Sequence, residues 1–262
     1  MKNLLLFISV SVAAGLLFLS ASFKNVEKQS TNKEEKSLPV NVADAKGFVV
    51  MELFTSQGCS SCPSADDLLG KYALMNNEKI IPVAFHVDYW NHLGWKDSFS
   101  TPAYTQRQRL YAEKFLSSSV YTPQLVINGY KEMVGSDKVK IESTVNAELK
   151  KEAAVSITIK KTGIDNGLVK IDYTVSGASD KTDIVMLLVQ DKAITKIRAG
   201  ENDGLSLNNY NVVRDFVTAK MDAAGEAVLH LPKYTDGKGY SIVLFAQDKN
   251  TGQITGAVKQ PL

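Results

Sequence analysis

Phe48-Val49-Val50-Met51-Glu52-Leu53-Phe54-Thr55-Ser56-Gln57-Gly58-Cys59-Ser60-Ser61-Cys62-Pro63 is the stretch on which the fold turns. Its apolar run over 48–54 is nearly continuous, the pattern of a strand covered on both faces, because a strand with one wet face alternates. The chain then turns through Thr55-Ser56-Gln57-Gly58. Pro63, tolerated in a first helical turn, precedes Ala65, Leu68, Leu69, Tyr72, Ala73 and Met75 at helical spacing. A strand, a loop and a helix therefore frame Cys59 and Cys62.

Working outward, residues 80–87 repeat the buried-strand pattern and residues 104–115 read as a helix. Residues 125–130 form a short strand entering a turn, 132–134 its hairpin partner, and 136–151 a closing helix with Ser136 as N-cap. Alternating elements followed by a hairpin and a helix predict a mixed sheet covered by helices. From residue 153 the period changes. Residues 155–159, 168–175, 184–189, 212–217, 227–231, 240–246 and 254–258 are strand-like and separated by Gly, Asn and Asp, which predicts an antiparallel sandwich or barrel. The expected architecture is an α/β domain over 47–152, then a separate β-rich, sandwich-like domain over 153–262. A length of 262 residues suits two domains.

The first residues differ from the rest. Lys2 precedes an apolar stretch over 4–19, and Ser20-Ala21-Ser22 supplies the small residues preferred at a cleavage site. Residues 1–22 read as a secretory signal peptide, with a retained membrane anchor as the alternative. Both place the chain outside the cytoplasm, secreted or periplasmic, and touching a membrane only through that segment. Residues 23–46 are a polar linker, too poor in apolar groups to order itself. Thirty basic against 28 acidic residues leave a net charge of +2, too small a field to steer the chain onto nucleic acid. Nothing in composition or spacing fixes an oligomeric state.

The chain holds two cysteines, three positions apart, so no disulfide framework between distant segments is available to them. They serve each other, or are incidental small residues. A loop leading into a helix places the first thiol near unpaired backbone amides, which lower a thiol pKa from about 8.5 toward roughly 3.5–7.5. Cys59 is then the nucleophile, more exposed and more acidic, and Cys62 the resolving thiol that attacks a mixed disulfide. Two residues fit the same chemistry. Glu52, a carboxylate in an apolar strand, accepts the Cys62 proton if it is buried beneath the pair, or is an exposed strand-end residue. Pro123, after Thr122, turns the backbone at a strand start as a cis or an ordinary trans proline. Trp90 and Trp95 lie in the aromatic segment 86–101, which lines a substrate groove together with Thr122 or caps a core.

These residues resemble a known family. Residues 52–63, with Phe85-His86-Val87-Asp88-Tyr89-Trp90, Gly94-Trp95-Lys96-Asp97 and Tyr121-Thr122-Pro123-Gln124, are similar to the secreted thioredoxin-like family catalogued as domain of unknown function 1223. Gly200-Glu201-Asn202, Asn211-Val212-Val213-Arg214 and 252–257 extend the resemblance almost to the C-terminus. It implies a thioredoxin-like fold, with Cys59 as nucleophile, Cys62 as resolving thiol and Pro123 as a cis proline. The Ser60-Ser61 dipeptide and the position of Glu52 depart from thioredoxin.

The leading expectation is thiol-disulfide exchange on extracytoplasmic protein thiols or disulfides, with no cofactor and with the redox direction set by reduction potential. Two alternatives stand beside it. Cys59, Cys62 and His86 would offer soft ligands to copper or zinc, or the chain is a non-catalytic binding module. Glu201, Asn202, Asn211 and Arg214 are expected to form hydrogen bonds where the two halves meet.

Overall fold

The computed structural model describes residues 40 and 45–262. The expected signal peptide, and the linker apart from residues 40, 45 and 46, lie outside the described residues. The apolar runs of the first half become strands β1 (Val49–Thr55), β2 (Ile80–His86), β3 (Gln124–Ile127) and β4 (Lys131–Val134). Between them lie helices α1 (Pro63–Leu74) and α2 (Pro102–Lys114), and α3 (Lys138–Glu148) follows. Pro63 and Pro102 each open a helix, where a missing N–H costs nothing. The N-cap of α3 is Asp137, whose carboxylate accepts from Lys140 N, and not the expected Ser136.

The second half supplies β5 (Ser156–Asp165), β6 (Leu168–Ser176), β7 (Thr182–Lys196), β8 (Ser206–Lys220), β9 (Ala224–His230), β10 (Tyr240–Asp248) and β11 (Ile254–Pro261). Each of the seven strand-like segments falls on a strand. Their assembly differs from expectation. One mixed sheet of eight strands runs in the order β11-β10-β7-β8-β2-β1-β3-β4, and β5-β6-β9 form a second sheet of three.

The expected α/β thioredoxin-like domain followed by a separate sandwich is therefore corrected: the described residues are mostly sheet, helices α1, α2 and α3 span 12, 13 and 11 residues, and the main sheet runs through both halves. Side-chain packing explains why the halves do not separate. On the α2 face, Val50, Phe54, Val83 and Phe85 share one apolar core with Val185, Leu187, Val213 and Phe245. Cutting the chain near residue 152 would open that core to water. On the opposite face α1 and α3 cover β1 and β3, while the three-stranded sheet covers β7 and β10.

The seam lies between β2 and β8, which run parallel and meet at Ala84 and Val212. There the Asn211 side chain donates to the Pro82 carbonyl at 2.8 Å. A second join is backbone on backbone. At Gly129, where φ is +72°, a Cβ would lie 1.9 Å from the Gly252 carbonyl oxygen, so glycine alone allows the β3–β4 turn to sit there.

Candidate functional site

The C-terminal ends of the parallel strands β1 and β2 bring Thr55 and His86 side by side, and the loop after β1 carries the cysteines to the start of α1. Cys59 and Cys62 form a disulfide with Cα atoms 5.4 Å apart. Cys59 N donates to Ser56 O and Cys62 N to Cys59 O, so the intervening serines lie on a tight turn and are exposed. Both cysteines are 0% exposed, which corrects the expectation that Cys59 is the more accessible.

What covers them comes from the far half of the chain. Strands β7 and β8 form a long hairpin whose tip, residues 197–205, lies over the cysteine loop. Asn202 Nδ2 donates to the carbonyls of Gln57 at 2.9 Å and Cys59 at 3.0 Å. Glu201 Oε2 accepts from Ser60 N at 3.0 Å. Gln57 Nε2 reaches the flanks of the hairpin, donating to Thr195 Oγ1 at 3.0 Å and to Asn209 Oδ1 at 3.5 Å. The expected network between halves thus includes Glu201, Asn202 and Asn211, whereas Arg214 bonds Gln190 within the second half.

The expected aromatic residues gather at the same place. Trp95 Nε1 donates to Gln57 Oε1 at 3.0 Å, and Trp90 Nε1 donates to Thr122 Oγ1 at 2.8 Å. A Cβ on Gly58 would lie 3.3 Å from Trp90 Cβ, so Trp90 spans from the cysteine loop to Thr122. The Thr122-Pro123 peptide is cis. Gly135 packs Pro123 beside α1: a Cβ there would lie 3.1 Å from Ala65 Cβ and 3.2 Å from Pro123 Cβ.

Glu52 is fully buried, but on the wrong face. Alternate side chains of a strand point to opposite faces. Met51 and Leu53 face α1, so Glu52 points with Val50 and Phe54 toward α2. There Arg107 Nε donates to Glu52 Oε2 at 2.6 Å and the Tyr111 hydroxyl donates to Oε1. Glu52 is committed to this buried ion pair, which corrects its expected role as proton acceptor for Cys62.

A carboxyl does lie on the cysteine face, and the sequence reading passed over it. Asp66 in α1 is four residues after Cys62, so their side chains share one side of the helix a turn apart. Asp66 N donates to Cys62 O at 3.0 Å, and Thr55 Oγ1 donates to Asp66 Oδ2 at 3.1 Å. Burial pushes the Asp66 carboxyl up to about 7, against the pull of His86 and the Thr55 hydrogen bond. The sequence signal was available in Cys62-Pro63-Ser64-Ala65-Asp66, an acid at i+4 among apolar helix positions.

His86 completes this buried cluster. Its Nδ1 lies 2.7 Å from Asp97 Oδ2, the same oxygen that accepts from Gln57 N at 2.8 Å. Burial opposes a charged imidazole, yet the Asp97 carboxylate outweighs it and raises His86. Burial likewise opposes the Asp97 charge, but His86 and the Gln57 and Phe99 amides hold its carboxyl below the usual range. His86 is thus held against Asp97, which raises its affinity for a proton. Among the described residues no group of three or more His, Cys, Asp or Glu side chains is placed to hold a metal ion, so His86 does not join the cysteines as a ligand set.

A cavity of about 530 Å³ lined by Phe48, Lys79, Val155 and Lys259 lies at the opposite end of β1 and includes none of these residues.

A family model described as "Protein of unknown function (DUF1223)" matches residues 50–247. No curated protein matches the chain. Among solved structures, protein AGR_C_4864 from Agrobacterium tumefaciens is similar, with 27% identity and a TM-score of 0.64 over 83% of this chain and 96% of that one. HBP35 of Porphyromonas gingivalis shares the fold at 13% identity and a TM-score of 0.59, over 83% of this chain and 76% of that one.

Proposed function

The chain belongs to the DUF1223 family, and from that premise we propose that it carries out thiol-disulfide exchange through Cys59 and Cys62 on protein partners outside the cytoplasm. The observation that carries the reading is a disulfide closed between residues three apart at the first turn of α1, with the Asp66 carboxyl one turn further along. Such a pair does nothing to tie distant segments together, so its stabilising value is small and its redox chemistry is the reason to keep it. Export, by the leader-like segment 1–22, would place it where disulfides persist.

In the oxidising direction a client thiolate attacks one sulfur of the Cys59–Cys62 disulfide, forming a mixed disulfide and expelling the other cysteine as a thiolate. A second client thiolate then attacks the client sulfur. The client leaves oxidised by two electrons and the pair is reduced. In the reverse direction the Cys59 thiolate attacks a client disulfide, and Cys62, giving its proton to Asp66, displaces the client from Cys59. Cys62→Ser should therefore accumulate mixed disulfides with client proteins, and Cys59→Ser should abolish both trapping and turnover. Diagonal electrophoresis of exported protein reads the adducts. Absence of adducts in Cys62→Ser, together with failure of the wild-type pair to cycle with dithiothreitol and oxidised glutathione, would leave the binding-module reading in its place.

Because both sulfurs are covered, exchange requires the hairpin tip to withdraw. Asn202→Ala removes two hydrogen bonds to the cysteine loop, worth together about 1–2 kcal/mol, or a factor of roughly 5–30 in the open population. Reduction of the disulfide by dithiothreitol, followed by thiol release, is expected to accelerate by that factor. An unchanged rate would show that Asn202 does not hold the cover in place.

A further inference from the structure

We infer that Glu201, carried to the cysteine loop on the tip of the β7–β8 hairpin, is a positioning residue that sets the redox poise of the Cys59–Cys62 pair by occupying the Ser60 amide with a negative charge. The inference rests on the thiol-disulfide reading and adds to it a residue from the distant half of the chain.

A reduced Cys59 at the start of α1 gains its acidity from nearby backbone amides and from the positive end of the helix. Of those amides, Cys62 N is already given to Cys59 O, and Ser60 N is given to the Glu201 carboxylate at 3.0 Å. Ser60 immediately follows Cys59, so the carboxylate sits one peptide from the nucleophile. Its position is built: Asn202, 3% exposed, anchors the tip through the Gln57 and Cys59 carbonyls. Gly200, at φ +79°, brings the tip against the next loop, where a Cβ would lie 3.2 Å from both Leu93 O and Trp95 Cβ. A carboxylate in this place opposes a thiolate twice over, by taking an amide the thiolate would use and by like-charge repulsion.

The other charges around Cys59 do not supply the same effect. Asp66, His86 and Asp97 are buried, His86 and Asp97 are bonded to each other at 2.7 Å, and Arg214 is felt by His86. Arg198 and Asp203, on the same tip as Glu201, are exposed and opposite in sign. Glu201 is the one of these carboxylates that receives an amide of the cysteine loop between the two sulfurs. With the thiolate disfavoured, the reduced dithiol is less stabilised, and the disulfide is the more persistent state.

Glu201→Gln keeps a side-chain oxygen for the Ser60 amide and removes the charge. Because Glu201 is exposed, the variant should fold as the parent does. Its reduced form is expected to show a Cys59 thiol more acidic by a factor of roughly 3–10 in the ionisation constant, read from the pH profile of iodoacetamide alkylation. The equilibrium constant with glutathione should move by the same factor toward the dithiol, a rise of about 15–30 mV in reduction potential. The change should shrink at 1 M salt, where exposed charges are screened. Glu201→Asp should retain most of the parental acidity. An alkylation profile and glutathione equilibrium that coincide with wild type would overturn the role of Glu201 while the wild-type protein still cycles. Failure of the wild-type protein to cycle at all would instead strike the thiol-disulfide reading, and the thiol acidity would still report on Glu201.

Discussion

Glu52→Gln is expected to lower the stability of the protein by about 3–5 kcal/mol, the cost of leaving one member of a buried ion pair without its counter-charge. Arg107 crosses the core with its guanidinium 5.2 Å from the Tyr111 ring centre and 5.4 Å from those of Phe85 and Phe245. Its polar contacts are Glu52 at 2.6 Å, Tyr111 at 3.1 Å and Gln247 at 3.3 Å, and only Glu52 is charged. Glutamine preserves the shape and one acceptor but cannot neutralise the guanidinium. Urea unfolding should show a lower midpoint with an unchanged slope, since the surface exposed on unfolding is the same. Thiol chemistry should be untouched: alkylation of reduced Cys59 and release of a bound client should match wild type, because Glu52 faces away from α1. A loss under 1 kcal/mol would contradict the burial argument, and slowed client release at intact stability would return Glu52 to the thiol site. Should Glu52→Gln fail to fold, Glu52→Gln combined with Arg107→Met removes both charges and is expected to recover most of the stability.

That pair also shows why the elements were legible and their assembly was not. Apolar period and turn residues mark each strand and helix, and these are local properties of the chain. Which face of β1 a side chain occupies depends on what packs there. Residues 49–54 are buried on both faces, so no alternation distinguishes Glu52 from Met51 or Leu53 in the sequence. The join of the two halves was hidden for a similar reason. The composition change near residue 153 is real, but strands of different character can share one sheet, and β2 and β8 do so at Ala84 and Val212. The apolar centres of β7 and β8 are plain in the sequence at 184–189 and 212–217. Their outer parts, through Lys192, Thr195, Asn208 and Asn209, alternate weakly and read as loop, yet they form the arm that brings Glu201 and Asn202 over the cysteines. The cysteine pair itself needed no structure to be noticed. Its cover did, because it depends on contacts between residues about 140 positions apart, whereas the acid at Asp66 was readable from its i+4 spacing and only its burial was not.

The buried acid supports the last prediction, for Asp66→Asn, which separates a group that merely tolerates burial from one that moves a proton. Its folded carboxyl stands at about 7, whereas an unfolded aspartate titrates near 3.9. Between those values the folded protein holds a proton that the unfolded chain has lost, so stability falls as pH rises through the window and the loss is complete above about 7. The size of that loss is on the order of 4 kcal/mol. Asparagine keeps the acceptor for Thr55 and never ionises. Asp66→Asn should therefore be more stable than wild type by a few kcal/mol at pH 8 and about equal to it near pH 4, the difference growing as pH rises through that window. Urea midpoints at the three pH values decide this. The same replacement removes the proton acceptor one helical turn from Cys62, and it should slow release of a client held on Cys59 by roughly 10²-fold, while alkylation of Cys59 changes little. Release at the wild-type rate from a protein with the expected stability profile would leave Asp66 a buried acid without a part in resolution. A slowed release that persists at high pH, where hydroxide in bulk water can take the thiol proton, would point to distorted geometry at the turn in place of a missing base. Slow release at neutral pH that recovers as the medium becomes alkaline is the signature of a proton acceptor, and it is the outcome that the shared helix face of Cys62 and Asp66 leads us to expect.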